Sequence, residues 1–304
     1  MMNKATGSKQ SPSEPSEQRP RTLPAAWNDF WFTPGGAGTM TRFRVSCCVV
    51  VAVWFLSFFD SLELWFGSQG LLPNAVAGQL IAFEETPRWL HWSPLWWTDQ
   101  LIAYQAWIVF GVVLSLLGAC GLGGRATIAA LLLVCIAWIH RIVWLQGPIE
   151  PAIVAMLGYI LVSPGGSIRH RQTVPENHWL HNLAMRLVQT HWWILFAAGL
   201  LMQLAGLVWW RGEAVWWLAA SGRSHLLSAE GLRGHANLVN ALTHAMILVQ
   251  TLTLWLLLVP AARGLGIVCG CLSLVALGLV SDHLLYALLM ASGLLVWPRT
   301  CSVR

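Results

Sequence analysis

Between His191 and Ala220 the chain reads HWWILFAAGLLMQLAGLVWWRGEAVWWLAA. Its first part is an apolar run of about 20 residues, and at about 1.5 Å per residue such a helix crosses a hydrocarbon core about 30 Å thick. Trp192 and Trp193 stand at one mouth, Trp209 and Trp210 at the other. Indole rings favour the headgroup level, where the ring is buried and the N–H stays wet, so the pairs read as aromatic collars on a transmembrane helix. Gln203 lies inside the run, and Arg211 and Glu213 follow it.

The rest of the chain repeats this pattern. Of 304 residues, 56% are hydrophobic and 10% charged, and 20 are Trp. That composition describes an all-α, polytopic helical membrane protein and excludes a soluble domain. Eight spans are expected, at 45–62, 101–121, 126–145, 149–164, 192–210, 238–259, 264–280 and 283–297. The fourth, seventh and eighth are short enough to tilt little, thin the bilayer or re-enter it. Residues 1–25 are polar and expected to be disordered, and 301–304 form a short cytoplasmic tail. The tail does not read as a secretory signal. A single membrane domain occupies 26–300, opening with AWNDFWFT, an aromatic segment expected at the membrane surface.

Charge sets the expected orientation. Lys4, Lys9, Arg19, Arg21, Arg42 and Arg44 precede or open the first span. Arg125, then Arg169, Arg171 and Arg186, then Arg263, and finally Arg299 and Arg304 mark alternate connections. The opposite loop, 63–100, carries Glu63, Glu84, Glu85 and Asp99 against Arg88. The positive-inside rule then places both termini in the cytoplasm, and the net charge of +5 belongs to membrane topology, not to nucleic-acid binding. Loop 211–236 votes least clearly, with Arg211, Arg223 and Arg233 against Glu213 and Glu230.

Polar residues gather at the expected outer ends of spans: Asp60, His140, Arg141, Glu150, Glu213, Asp282, and the series Asn237, Asn240, His244, which share one helix face. Gln203 and Gln250 lie near mid-membrane. Ionisable groups in spans cost about 2.5–3.5 kcal/mol each on insertion scales, so they face polar surroundings or one another. One reading is an outward-opening polar cavity; the other is a set of interfacial residues at helix ends, with the two glutamines joining helices. Glu63, Glu84, Glu85, Glu150 and Asp282 fit the interfacial reading better. Other motifs are bland. Gly121–Arg125 and Ser163–Gly166 read as turns, no nucleophile elbow occurs, and no His/Cys/Asp cluster has zinc spacing, so no metal is expected. The chain's two lysines are Lys4 and Lys9, so none is available in the membrane body as a base.

Four stretches resemble the HTTM group, bacterial membrane proteins related to the transmembrane part of vitamin K-dependent gamma-carboxylase. They are Trp27–Pro34; Asp60 with Phe66-Gly-Ser-Gln-Gly-Leu-Leu-Pro73; His140-Arg141 with Gly147 and the Ser163-Pro164-Gly-Gly turn; and Ala198-Gly199 through Gly206-x-x-Trp209-Trp210-x-Gly212-Glu213 to Trp216. The resemblance implies a multi-pass protein of a bacterial inner membrane that handles a lipophilic, quinone-like molecule. In the carboxylase a lysine is the base; here the corresponding place falls on Gln203, and Gln250 stands where an acid is expected. A neutral amide cannot take a proton as an amine does, which argues against carboxylation and leaves open whether the chain is an enzyme. Any chemistry would fall to His140, Arg141 and His244, with His244 the base, since imidazole titrates near neutral pH. Gln203, Gln250, Asp60, Asn240 and Glu213 would then bind the ligand. The alternative is a non-catalytic structural or partner-binding membrane protein derived from a carboxylase-like ancestor. Transport fits less well, because no pair of broken helices recurs in matching halves.

Overall fold

The computed structural model describes residues 22–83, 91–164, 178–221 and 229–297. The expectations for the tail up to residue 21 (Lys4, Lys9, Arg19 and Arg21 included), for Glu84, Glu85 and Arg88, for Gly165, Gly166, Arg169 and Arg171, for Arg223, and for Arg299, Arg304 and the 301–304 tail lie outside the described residues.

Among the described residues all regular structure is helical. Helix α1 spans Leu23–Phe32 and α2 Ala37–Leu56, continued through a 3-10 turn into α3, Leu62–Phe66. Then come α4 (Asn74–Phe83), the 3-10 turn Pro94–Trp97, α5 (Leu101–Cys120), α6 (Gly124–Arg141) and α7 (Ile149–Val162). After them follow α8 (Trp179–Ala205), α9 (Leu207–Trp210), α10 (Ala214–Ala220), α11 (Ala229–Leu232), α12 (Ala236–Leu258), α13 (Arg263–Ser281) and α14 (Leu284–Gly293). Among the described residues six helices are long and apolar enough to cross a membrane: Ala37–Phe66, α5, α6, α8, α12 and Pro260–Ser281. The other two expected spans correspond to shorter apolar helices, Ile149–Val162 and Leu284–Val296. The chain is thus built as a multi-pass membrane protein.

Neighbouring long helices run antiparallel. On α5 the small residues Gly111, Ser115 and Gly118 fall at i, i+4 and i+7 and form one face. A Cβ at Gly111 would meet the Phe55 ring at 2.6 Å, and one at Gly118 would meet Cys48 Sγ at 3.2 Å. So α2 lies directly on the α5 backbone, the small-residue packing that lets helices associate in lipid. Arg125 at the start of α6 reaches the end of α7, donating to the carbonyls of Val162 (2.7 Å) and Ser163 (3.1 Å). Helix α14 packs on α2, α7, α8 and α13. Buried hydroxyls bond back into their own helices: Ser115 to the Gly111 carbonyl at 2.8 Å, Thr253 to that of Val249 at 2.8 Å, Ser292 to that of Leu289 at 2.6 Å.

Three sequence expectations change. Helix α1 starts at Leu23, inside the stretch read as a polar tail, because Pro24 sits in its first turn, where no N–H is needed. It contains no buried residue; Asn182 and Arg186 of α8 bond the Phe30 carbonyl at 2.9 and 3.2 Å, and Trp27 stays exposed, as suits a helix on a membrane surface. Second, the 192–210 span is divided: its first part belongs to a 27-residue helix that begins at Trp179 and stops at Ala205, because Gly206 takes an extended conformation (φ −84°, ψ 121°), and Leu207–Trp210 form α9. Third, Trp192 is not a collar. It is fully buried, stacks on Phe196 at 4.5 Å and donates its indole N–H to the Met290 carbonyl at 3.0 Å. Trp97, Trp210 and Trp217 are exposed on the bundle, as an interfacial ring would be.

Candidate functional site

The bundle end where α2 stops and α5 begins holds the densest polar and aromatic construction. Helix α6 presents Trp138 and Arg141 there, three residues apart and so on one face. Both side chains are fully buried. The Arg141 guanidinium lies 4.6 Å from the Phe66 ring centroid, 4.9 Å from Trp96 and 5.5 Å from Tyr104. Its Nε donates to the Tyr104 hydroxyl at 3.0 Å and its Nη2 to the Leu72 carbonyl at 2.8 Å. Phe66 and Tyr104 stack face to face, 5.2 Å apart and 4° from parallel. This cage of one cation, three rings and two oxygen acceptors lets a charge sit inside the bundle: each desolvated cation–π contact contributes up to about 2 kcal/mol. A hydrogen bond from a charged donor contributes about 1.5–3 kcal/mol. Among the described residues Nη1 of Arg141 and Nε1 of Trp138 have no hydrogen-bond partner.

A second layer fixes the cage. Asn74, the first residue of α4, donates from Nδ2 to the carbonyls of Leu95 (3.1 Å), Trp96 (3.3 Å) and Thr98 (2.9 Å). Its Oδ1 accepts from the Tyr104 hydroxyl at 3.4 Å, and its backbone N–H bonds Asp99 Oδ1 at 3.1 Å. One side chain thereby holds the 94–98 turn against α4 and α5. Trp96 is tethered separately, its indole N–H bonding the His91 carbonyl at 2.6 Å.

Between α4 and this turn lies a cleft of about 550 Å³, lined among others by Gln79, His91, Trp92, Ser93, Trp96 and Trp97. Trp96 is shared: it lines the cleft and contacts the Arg141 guanidinium. His140 lies beside two of these lining residues. Its Nδ1 is 2.9 Å from the Trp92 carbonyl, and its ring is 6.3 Å from that of His91. A carbonyl only accepts, so Nδ1 carries a proton, and in the neutral ring the lone pair is on Nε2.

The remaining sequence candidates fall elsewhere. His244, Asn240, Glu213 and Asp60 are exposed on the surface of the bundle. Helix α12 carries the first two. Asn240 donates to the Arg211 carbonyl at 3.2 Å, and His244 Nδ1 is 2.9 Å from the Asn240 carbonyl. Gly212 is required here: it has φ 73°, and a Cβ would come within 2.0 Å of Asn240 Nδ2. The Gly-x-x-Trp-Trp-x-Gly run is therefore a device that breaks α8 at Gly206 and folds the chain back onto α12. Gln250 is buried, and Gln203 Oε1 is buried with no hydrogen-bond partner among the described residues. Among the described residues no hydrogen bond or ring contact joins this group to the Arg141 cage.

Sequence reasoning reached His140 and Arg141 but missed Asn74, His91, Trp96 and Tyr104. It also read Glu150 as interfacial, whereas Glu150 is 3% exposed and accepts from the Trp54 indole at 3.2 Å and the Gly147 N–H at 2.7 Å. The available signal was a buried-type cation closing an apolar helix while the preceding loop, rich in Trp and His, could fold back on it. No family model matches the chain, and no curated protein or solved structure matches it.

Proposed function

We propose that this chain is a multi-pass membrane protein of the HTTM type, with eight crossings and both termini in the cytoplasm. Its activity centres on the cleft between α4 and the 91–97 turn. That cleft takes a lipophilic, ring-bearing molecule of the quinone kind. The observation that carries this reading is the lining: Trp92, Trp96 and Trp97 offer ring surfaces, and Gln79, His91 and Ser93 offer hydrogen bonds to a polar head. His140, which in its neutral form holds the lone pair on Nε2, is the group beside this lining best suited to accept a proton. His244, the base favoured from sequence, lies on a separate helix and serves this cleft less well.

Native mass spectrometry of the purified protein tests the reading, with identification of the molecules that travel with it. Trp97 is 78% exposed, so Trp97→Ala alters the cleft with little effect on folding. A ring-bearing lipid at one per chain in the wild type, reduced at least about tenfold in Trp97→Ala, supports the proposal. Bulk phospholipid alone in both proteins contradicts it. Orientation has its own check: a reporter active only outside the cytoplasm should work when fused after Gln69 and be silent after Gly166.

A further inference from the structure

Resting on the cleft reading above, we propose that its ligand carries an acidic head, a carboxylate or an ionised ring hydroxyl, and that Arg141 is the charge that selects it. Arginine cannot shed its proton in a protein, so the fully buried Arg141 is a permanent cation in the bundle. Its guanidinium has five N–H donors, of which, among the described residues, Nε and Nη2 each make one bond to protein oxygen and Nη1 makes none. Among the described residues no carboxylate pairs with it. Among the described residues the acid whose field reaches it is Asp99, which is exposed and bonds the Asn74 N–H. Solvent screens an exposed carboxylate, so Asp99 offsets only part of the buried charge.

The cleft lies against this cation. Trp96 forms its wall and touches the guanidinium, and among the described residues no Asp or Glu lines it. A buried charge is weakly screened and acts across several ångströms of low-dielectric protein. Arg141 therefore adds a positive field at the cleft, while the other described lining groups, indoles, two amides, a hydroxyl and His91, tolerate either a neutral or an anionic guest. Charge complementarity decides between them: an anion gains from Arg141, and a neutral molecule of the same shape does not. Arg141 acts here as a positioning and selecting group, through its field, without touching a reacting atom.

The test compares two probes of nearly one shape: 2-hydroxy-1,4-naphthoquinone, ionised at neutral pH, and neutral 2-methoxy-1,4-naphthoquinone. Binding is measured on the full chain in neutral phosphatidylcholine nanodiscs and corrected with empty discs. The acidic probe should bind at least about tenfold more tightly, the size of effect a weakly screened charge gives at this range. Arg141→Lys should keep the preference, and Arg141→Gln should bring the two probes within about twofold. Equal binding of both probes to the wild type overturns this inference while leaving the cleft reading intact. Preference retained in a folded Arg141→Gln overturns it too. Failure of both probes to bind removes the cleft reading and this inference with it. The wild-type comparison decides even if Arg141→Gln does not fold.

Discussion

Arg141 and His244 each close or open an apolar helix with a polar group, and the sequence presents them as equals. The fold treats them differently. Arg141 is enclosed by Phe66, Trp96 and Tyr104, with oxygens of Tyr104 and Leu72 as acceptors. His244 is exposed, and its Nδ1 bonds its own helix at Asn240. Around α6 a whole loop has been organised to enclose a charge, with Asn74 as its knot. Around α12 the chain is folded back by a glycine and leaves the polar face open. The lesson is that a polar residue at a helix end acquires chemistry when other segments converge on it, and convergence is a property of the fold.

The strongest way to break this comparison is to remove the two groups in turn. Arg141→Ala should cost about 3 kcal/mol or more, because it leaves a cavity and two oxygens without their donor. His244→Ala should stay within about 0.5 kcal/mol. Unfolding by denaturing detergent in mixed micelles measures both, and equal losses would show that the cage holds nothing together.

Next in size is the fold-back at Gly212. Gly212→Ala should cost about 1–3 kcal/mol, since it adds backbone strain at positive φ and a clash with Asn240. Asn240→Ala in the same chain should recover the part due to the clash, and a double-mutant cycle isolates it. Strict additivity would mean that the two residues do not touch.

The smallest contrast is between tryptophans. Trp192→Phe should lose about 1 kcal/mol with its bond to Met290, and Trp97→Phe should stay within about 0.5 kcal/mol. The same unfolding assay reads both. A larger loss at Trp97 would reverse the assignment of buried and interfacial rings.

Much of the architecture was legible, because hydrophobic length is a direct physical requirement of the bilayer. Spans near 101–121 and 238–259 correspond closely to α5 and α12. Boundaries were less legible where one residue decides them: Gly206 ends α8 with no proline to announce it, and Pro24 starts α1 earlier than its polar surroundings suggest. The Trp192–Trp193 pair looked like a collar because composition cannot say which face of a helix another helix covers; α14 covers Trp192. The candidate site was half legible. His140 and Arg141 stand out as a charged end to an apolar run. Asn74, His91, Trp96 and Tyr104 come from α4, a loop and α5, and nothing periodic links them. Glu150 looked interfacial because its burial depends on Trp54, 96 residues away.

The most direct test of the account is to find where a ring-bearing ligand sits. A photoreactive naphthoquinone probe, activated on the full chain in nanodiscs and mapped by peptide mass spectrometry, gives that position. The account predicts adducts within Asn74–Ala82 and His91–Trp97, suppressed by excess unlabelled naphthoquinone. Adducts concentrated instead on α12 near Asn240 and His244, competed in the same way, would contradict it.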